Sequence, residues 1–200
     1  MTQAVFETDR LRVRKAGVSD EDVDFFYQLW KNPQVMSFVG YPKGLEITRE
    51  DVKQNIEKHA GSEFDGRLII ELKGSLKKIG ECKMGMPDNE GIALTDIKLL
   101  PEYWQQGYGT EVKRGLVEYL FTHTNCSKIR ATPSKNNTAS QKMQEGAGAI
   151  RTGEGIYHFP DDMKEFTVDV PYYIYIIERE EWEKRKNEWE KVSAHGKSDD

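Results

Sequence analysis

The sequence has 200 residues, with 29 Lys and Arg against 34 Asp and Glu, so its formal net charge at pH 7 is −5. This acidic balance argues against a nucleic-acid partner held by bulk electrostatics, and it fits a cationic substrate. The 2 cysteines, Cys82 and Cys126, lie far apart and share no spacing with other ligand-type residues. Neither a disulfide scaffold nor a metal site is therefore predicted.

Membrane and targeting segments are not indicated either. No apolar run approaches the ~20 residues that a membrane-spanning helix needs. The first residues, Met1 to Phe6, lack the basic start and the apolar stretch of a secretory signal. We therefore expect a cytoplasmic protein without a membrane partner.

The N-terminal third predicts one strand followed by two helices. Over residues 6–15, Leu and Val alternate with arginine, which is the period-2 pattern of a half-buried strand. Ser19 precedes three acidic residues, which favours a helix start, and Asn32-Pro33 is expected to end that helix. Thr48 and Asp51 have the spacing of a capping box and predict a second helix.

Three short runs bounded by turn residues follow, over residues 67–73, 78–86 and 92–100. Runs of this kind predict an antiparallel meander. The third run ends at Pro101, and the chain then passes through Gly107 and Gly109 into a segment with an apolar stripe. This order indicates a strand, a tight loop and a helix start.

The last part predicts a strand over residues 128–132, a helix over 138–146 and a strand over 168–178. The whole order is β-α-α-β-β-β-α-β-α-β, which indicates a single α/β domain with a mixed sheet over residues 1–179. Residues 153–170 form an excursion before the final strand. Residues 180–200 predict a charged helix and a flexible tail, whose Trp182 and Trp189 either form a dimer face or cover the core of a monomer.

The loop after Pro101 carries the clearest chemistry. A helix N-terminus presents unpaired N–H groups and the positive end of the helix dipole, so it attracts anions. Gly107 and Gly109 let the backbone approach a ligand closely. We expect this loop to hold a pyrophosphate.

Two blocks, Trp104 to Gly109 and Asn137 to Gly148, resemble the GNAT (general N-acetyltransferase) superfamily. Over most of its length the chain is similar to the branch of ribosomal-protein N-terminal acetyltransferases, whose first strand and following loop resemble residues 7–14 and 32–36. The resemblance implies a GNAT fold, in which helices flank a mostly antiparallel twisted sheet with a V-shaped splay between central strands. It also implies acetyl-CoA as the co-substrate and no metal.

The resemblance carries over to cofactor contacts residue by residue. Backbone groups of Ile97 and Leu99 would hold the pantetheine arm, and ordinary strand pairing is the alternative for both. Asn137 would contact the same arm, act as an ordinary helix N-cap, or do both. The pyrophosphate would be bound through the main chain of Gln105, Gln106, Gly107, Tyr108, Gly109 and Thr110.

Acetyl transfer from a thioester to an amine needs a group that takes protons from the amine and a group that meets the leaving thiolate. Glu81 and Asp96 are the general-base candidates, because both lie on central strands near the expected thioester position. Each is alternatively a solvated strand residue or a salt-bridge partner. Ser140 would also touch the cofactor, and it stands where many relatives place a tyrosine that protonates the leaving thiolate. The alternative is an ordinary serine on the helix surface.

The predicted function is direct transfer of the acetyl group of acetyl-CoA to a primary amine within a ternary complex. The acceptor would be a protein N-terminus, a polyamine or a small-molecule amine. A catalytically weak acyl-CoA-binding sensor or interaction protein is the alternative. The two N-terminal helices and residues 153–170 are expected to decide the acceptor.

Overall fold

The computed structural model describes residues 3–60 and 62–186, which contain one sheet of eight strands. The strands are β1 (Ala4–Glu7), β2 (Leu11–Lys15), β3 (Leu68–Leu72), β4 (Lys78–Met84), β5 (Ile92–Leu99), β6 (Lys128–Ala131), β7 (Ile150–Tyr157) and β8 (Val170–Glu178). Their order across the sheet is β1-β2-β3-β4-β5-β6-β8-β7. The pair β5 and β6 is parallel, and the other neighbouring pairs are antiparallel.

Helices cover both faces of the sheet, as the fold prediction requires. They are α1 (Asp20–Lys31), α2 (Pro33–Met36), α3 (Arg49–Lys58), α4 (Tyr108–His123) and α5 (Thr138–Gly146). Ile70 of β3 belongs to the core beneath α4, whereas its neighbour Ile69 belongs to the core beneath α1 and α3. This division follows from the alternation of side chains along a strand. The α/β class with a mostly antiparallel sheet is confirmed.

The helix starts follow the local signals in the sequence. The Ser19 hydroxyl accepts a hydrogen bond from the N–H of Asp22, and Thr48 and Asp51 form the reciprocal capping box. Asn32 ends α1, and its side chain also caps α2 by accepting from the N–H of Gln34 at 2.9 Å. The short helix α2 is an addition to the predicted order.

The first strand prediction was wrong in one respect, because residues 6–15 do not form one continuous strand. The chain reverses between β1 and β2, which pair antiparallel. Thr8 closes this turn twice, since its N–H donates to the carbonyl of Leu11 at 2.9 Å and its hydroxyl accepts from the N–H of Leu11 at 3.1 Å. The turn contains no glycine or proline, so the sequence pattern did not reveal it.

The excursion predicted over residues 153–170 is shorter than expected. Its first part continues β7, which pairs with β8 from Ile150 to Tyr157. The remaining loop packs onto the segment after α2, where Phe159 contacts Tyr41 at 5.4 Å between ring centroids and Val168 donates to the carbonyl of Gly40. The loop therefore reaches the N-terminal helices and not the sheet interior.

The C-terminal segment begins directly after β8. Residues 179–186 are helical, and the Trp182 ring lies 5.3 Å from that of Phe121 on α4. Of the two predicted roles, Trp182 therefore covers the core of its own chain, whereas Trp189 lies outside the described residues. The domain boundary after residue 179 stays a prediction. Within residues 3–60 and 62–186, no helix is long and apolar enough to cross a bilayer.

Candidate active site

The loop between β5 and α4 is held in a conformation that only a few residue types adopt easily. A short 3-10 helix over Pro101–Tyr103 follows β5, and Trp104 then leads into two residues of positive φ. Gln105 has φ of 59° and Gly107 has φ of 79°. Gly107 is the N-cap of α4, a position where its missing side chain removes the usual penalty of the left-handed region.

This loop presents a row of unpaired donors. Among the described residues, no acceptor takes a hydrogen bond from the six consecutive backbone N–H groups of residues 105–110. The row lies at the N-terminus of α4, a 16-residue helix, where the helix dipole adds partial positive charge. Unpartnered N–H groups at a helix start suit a phosphate-type anion.

Residues from the β1–β2 turn hold the loop in place. The Arg10 guanidinium donates to the carbonyl of Gln106 at 3.1 Å and to the Glu111 carboxylate at 2.6 Å, and it lies 4.4 Å above the ring of Tyr108. The Thr8 hydroxyl donates to the same carboxylate at 2.6 Å. Arg10 and Thr8 lie about a hundred residues from the loop in sequence, so sequence reasoning missed this clamp.

The strands β5 and β6 diverge next to the loop. They pair only from Ile92 to Leu94, whereas β5 continues to pair with β4 as far as Leu99. The hydrogen bond from the N–H of Leu100 to the carbonyl of Ile79 fixes the register with β4. Residues of the other parity, including Ile97 and Leu99, therefore direct their backbone groups away from β4 and into the V-shaped opening.

The two predicted backbone contacts are not equivalent. The carbonyl of Leu99 already accepts a hydrogen bond from Trp104 Nε1 at 2.8 Å. Ile97 keeps its carbonyl directed into the opening, where both residues line a cavity of about 850 Å³. The loop residues Gln105, Gly107, Tyr108, Gly109 and Thr110 line the same cavity.

Helix α5 forms the opposite wall of the opening. The Asn137 side chain caps this helix by accepting from the N–H of Ser140 at 2.9 Å, and both residues line the cavity. Gln144, one turn further, is buried, and its Oε1 atom has no hydrogen-bond partner among the described residues. A buried unpaired acceptor is costly, which marks Gln144 as a group with an absent donor.

These groups match the chemistry of coenzyme A. The row of N–H groups suits a pyrophosphate, and the Ile97 carbonyl and Gln144 Oε1 suit the two amide N–H groups of a pantetheine arm. Helices α4 and α5 approach each other closely at Gly109, because a Cβ atom at this position would lie 2.9 Å from Met143 Sδ. Sequence reasoning missed Gln144, because a glutamine within a helix carries no distinctive pattern.

Part of the cavity lining is apolar. It includes Val35, Phe38 and Val39 from the α2 region, Met86 after β4 and Leu94 of β5. Phe38 lies 6.4 Å from Trp104 between ring centroids, which joins this wall to the loop. Tyr157 and His158 belong to the excursion over residues 153–170 that was expected to help decide the acceptor, but neither residue lines the cavity.

Of the two general-base candidates, Asp96 alone lines the cavity. Its side chain is 50% exposed and forms an ion pair with Lys98. Burial raises the pKa of the Asp96 carboxyl, but Lys98, Arg67 and the backbone N–H of Ile97 outweigh it, so the pKa lies below its usual range. Asp96 is therefore a carboxylate at neutral pH.

Glu81 lies on the same face of the sheet but is placed differently. Its side chain is buried behind the cavity wall, accepts from Trp30 Nε1 at 2.9 Å and pairs with Lys98 Nζ at 3.2 Å. Arg67 lies 3.9 Å from its second oxygen. These surroundings are those of a salt-bridge partner, the alternative that the sequence left open for Glu81. Lys98 pairs with both Glu81 and Asp96.

A further charged group lies at the point where β5 and β6 part. Lys113 of α4 is 1% exposed, and its Nζ donates to Thr95 Oγ1 at 2.5 Å. Burial lowers the pKa of Lys113 to about 7, although the nearby Asp96 opposes the shift. Thr95 lines the cavity. The sequence pattern predicts that Val112 is buried on α4, but it does not indicate that the neighbouring Lys113 is buried as well.

The domain family described as "Acetyltransferase (GNAT) domain" matches residues 10–150 of the chain. The chain belongs to the GNAT acetyltransferase family. As a GNAT protein it is an acyltransferase of the N-acetyltransferase type, and acetyl-CoA is its co-substrate.

Named relatives and solved structures agree with this assignment. The Uncharacterized N-acetyltransferase p20 of Bacillus licheniformis is 28% identical over 175 residues, which cover 86% of this chain and 96% of that protein. A GNAT-family acetyltransferase from Bacillus anthracis has the same fold, with a TM-score of 0.71 at 22% identity over 87% of this chain and 98% of that one.

Two further structures with this fold contain coenzyme A and an amine. The spermidine N-acetyltransferase from Vibrio cholerae, in complex with CoA and spermine, gives a TM-score of 0.71 at 19% identity over 86% of this chain and 96% of that one. AAC(6')-Ib, in complex with ribostamycin and coenzyme A, gives a TM-score of 0.68 at 21% identity. The match covers 88% of this chain and 97% of that one.

Proposed function

We propose that this GNAT protein transfers the acetyl group of acetyl-CoA directly to a primary amine within a ternary complex. The observation that carries the proposal is the row of six unpartnered N–H groups at residues 105–110, beside an opening whose far end holds a carboxylate. The pyrophosphate would bind at the row, and the pantetheine arm would extend along β5 past Ile97. The thioester would then approach Asp96 from the loop side.

The reaction in this arrangement requires few protein groups. The ammonium of the acceptor is attracted by the Asp96 carboxylate and loses a proton to it through water. The neutral nitrogen attacks the thioester carbon and the C–S bond breaks. The proton that the nitrogen must then lose to become an amide passes to the leaving thiolate, and the proton first taken from the ammonium is released to solvent. Ser140, which lines the cavity, would hold a hydroxyl or a water near the sulfur. Glu81 would keep Lys98 charged and in place without touching substrate.

The acceptor classes follow from the resemblance and from the relatives with this fold. A protein N-terminus is favoured by the similarity to the ribosomal-protein branch. A polyamine or an aminoglycoside-like amine is favoured by the ligands named for two structures with this fold. We propose a homodimer as a separate alternative for assembly, because Ile150 is exposed on β7, the edge strand of the sheet.

The phosphate site is tested with two glycine substitutions that add the same charge. We expect Gly107→Glu to raise the KM for acetyl-CoA at least tenfold, because the carboxylate would stand among the donors meant for the pyrophosphate. Gly74→Glu is the matched control, since a Cβ at Gly74 meets no atom within 4 Å. Release of free thiol from acetyl-CoA measures turnover, and titration calorimetry measures binding.

The outcomes separate the alternatives. Thiol release with at least one amine of a panel that contains a polyamine, an aminoglycoside and peptide N-termini supports the transferase. Binding of acetyl-CoA without thiol release across that panel favours the acyl-CoA-binding sensor. Unchanged acetyl-CoA binding by Gly107→Glu would reject the phosphate site itself.

A further inference from the structure

One charged group that lines the cavity has a buried N–H without a partner among the described residues. Arg130 of β6 lines the cavity, and its Nε atom is buried without a hydrogen bond. No carboxylate within residues 3–60 and 62–186 forms an ion pair with it. A buried guanidinium N–H that lacks an acceptor is costly, so an acceptor from outside the chain is expected opposite it.

Other cations around the cavity are already neutralised or lie at the cofactor end. Lys83 pairs with Asp65 at 3.4 Å, and Lys98 is held between Glu81 and Asp96. Lys142 has no carboxylate partner among the described residues, but it lies on α5 beside the cofactor end of the cavity. Arg130 is thus set apart by its buried, unpaired Nε atom and by its position on β6.

The position of Arg130 separates it from the phosphate loop. Its register partner on β5 is Leu94, five residues before Leu99, where the strand meets the loop. At about 3.3 Å per residue this is roughly 17 Å. Arg130 therefore lies at the closed end of the V, beyond the stretch of β5 that would hold the pantetheine arm.

Arg130 and Asp96 share one face of the sheet. Residues in register on parallel strands point the same way, so Arg130 lies on the face of Leu94, and Asp96 is two residues further along β5. Two residues correspond to about 7 Å along the strand. A positive and a negative group thus stand side by side at this end of the cavity, whose lining also includes the apolar side chains of Leu94 and Met86.

We propose that the acceptor is a zwitterion, a small amine that also carries a carboxylate, with Asp96 receiving the ammonium and Arg130 receiving the carboxylate. The inference rests on the proposed acetyl transfer. Arginine matches a carboxylate with two parallel N–H donors, and a single guanidinium balances a single negative charge. The apolar walls suit the remaining part of an amino acid such as phenylalanine or methionine.

Matched pairs of acceptors test the proposal. Phenylalanine is compared with phenethylamine, and methionine with its decarboxylated amine, by thiol release at one fixed pH. We expect kcat/KM for the amino acid to exceed that for the plain amine at least tenfold, because the plain amine leaves the guanidinium unpaired.

Variants test whether Arg130 causes the preference for amino acids. Arg130→Met is expected to reduce the ratio of kcat/KM for the amino acid to kcat/KM for the plain amine to about 1, chiefly by raising the KM of the amino acid. Lys128→Met removes a positive charge from the same face of β6, but Lys128 pairs with Glu178 at 3.1 Å, so the ratio should stay as in the wild type. Calorimetric binding of N-acetylphenylalanine to the CoA-bound protein should also weaken at least fivefold in Arg130→Met alone.

The results distinguish this proposal from the transferase proposal. Equal or better turnover of the plain amines, turnover of only polyamines or peptides, or a ratio unaffected by Arg130→Met would overturn the zwitterion and leave the transferase standing. No thiol release with any amine, despite bound acetyl-CoA, would reject both.

Discussion

Lys113 is the residue whose surroundings conflict most with its usual preference. Lysine is rarely buried without a carboxylate partner, yet Lys113 is buried and its Nζ has one hydrogen bond, to Thr95. Its pKa of about 7 lies below the usual value of 10.5 because burial penalises the charged form. Between pH 7 and 10.5 the unfolded chain therefore binds more protons at this site, and stability rises with pH.

Replacement of this lysine by methionine should stabilise the protein. We expect Lys113→Met to raise the free energy of unfolding by roughly 2–4 kcal/mol below pH 7, with the gain shrinking toward pH 10 as the wild-type lysine loses its penalty. Urea unfolding monitored by tryptophan fluorescence at about pH 6 and about pH 9.5 measures the difference. Lys142→Met, on the surface of α5, should change little. A gain that did not depend on pH would show that burial of the lysine charge is not its cause.

Glu81 is the residue at which catalysis and stability give opposite expectations. If it supports Lys98, Glu81→Gln should lower the free energy of unfolding by about 2 kcal/mol, because a buried ammonium loses a partner. The effect on kcat should then stay below tenfold. A general base would show the reverse pattern, with kcat reduced about a hundredfold or more and stability nearly unchanged.

A double mutant tests the same pair. Lys98→Met should recover part of the stability lost in Glu81→Gln, since the ammonium that lost its buried partner is removed with it. Thermal unfolding of the single and double variants and thiol-release kinetics measure both quantities. Strictly additive stability changes would show that the two side chains do not interact.

At the scale of elements, α4 connects the phosphate loop to the core and is fixed at both ends. Its first turn is clamped by Arg10 through Glu111. At its last turn, the Arg179 guanidinium donates to the carbonyls of Phe121, Thr124 and Cys126, at 2.5, 2.8 and 2.8 Å. These carbonyls would otherwise lack partners at the helix end, where the dipole also favours a cation.

Removal of this C-terminal cap should therefore destabilise the helix. We expect Arg179→Met to cost about 2 kcal/mol, and Arg179→Lys to cost less because the charge remains while the fork of donors is lost. Chemical denaturation measures both. Equal losses in the two variants would mean that the charge contributes nothing at this position.

At the scale of the whole molecule, the helical segment after β8 covers part of the hydrophobic core. Trp182 packs on Phe121 and covers the C-terminal part of α4, so a chain cut after Arg179 should be less stable by about 2 kcal/mol and remain active at low temperature. Light scattering of the full and the cut chain measures assembly at the same time. A dimer that persists in the cut chain would place the interface away from the tail, and a stability unchanged by the cut would contradict the packing role of Trp182.

Much of the fold and part of the site were predictable from sequence, and the reason differs between elements. Helix starts at Ser19 and Thr48 depend on residues three apart, and the phosphate loop depends on glycines and a following helix, so local chemistry decides them. The turn at Thr8 was missed because a backbone–hydroxyl pair closes it without a marked turn residue.

The sequence by itself determined the order of most elements, the GNAT family and the glycine-containing loop at the start of α4, because short-range residue spacing decides each of them. Only the tertiary structure decided which charges meet. Glu81 and Asp96 look alike in sequence, but one pairs with Trp30 and Lys98 behind the wall while the other faces the cavity. Arg130 looks like any strand arginine until the splay of β5 and β6 leaves it without a partner among the described residues, since contacts between distant segments set burial and pairing.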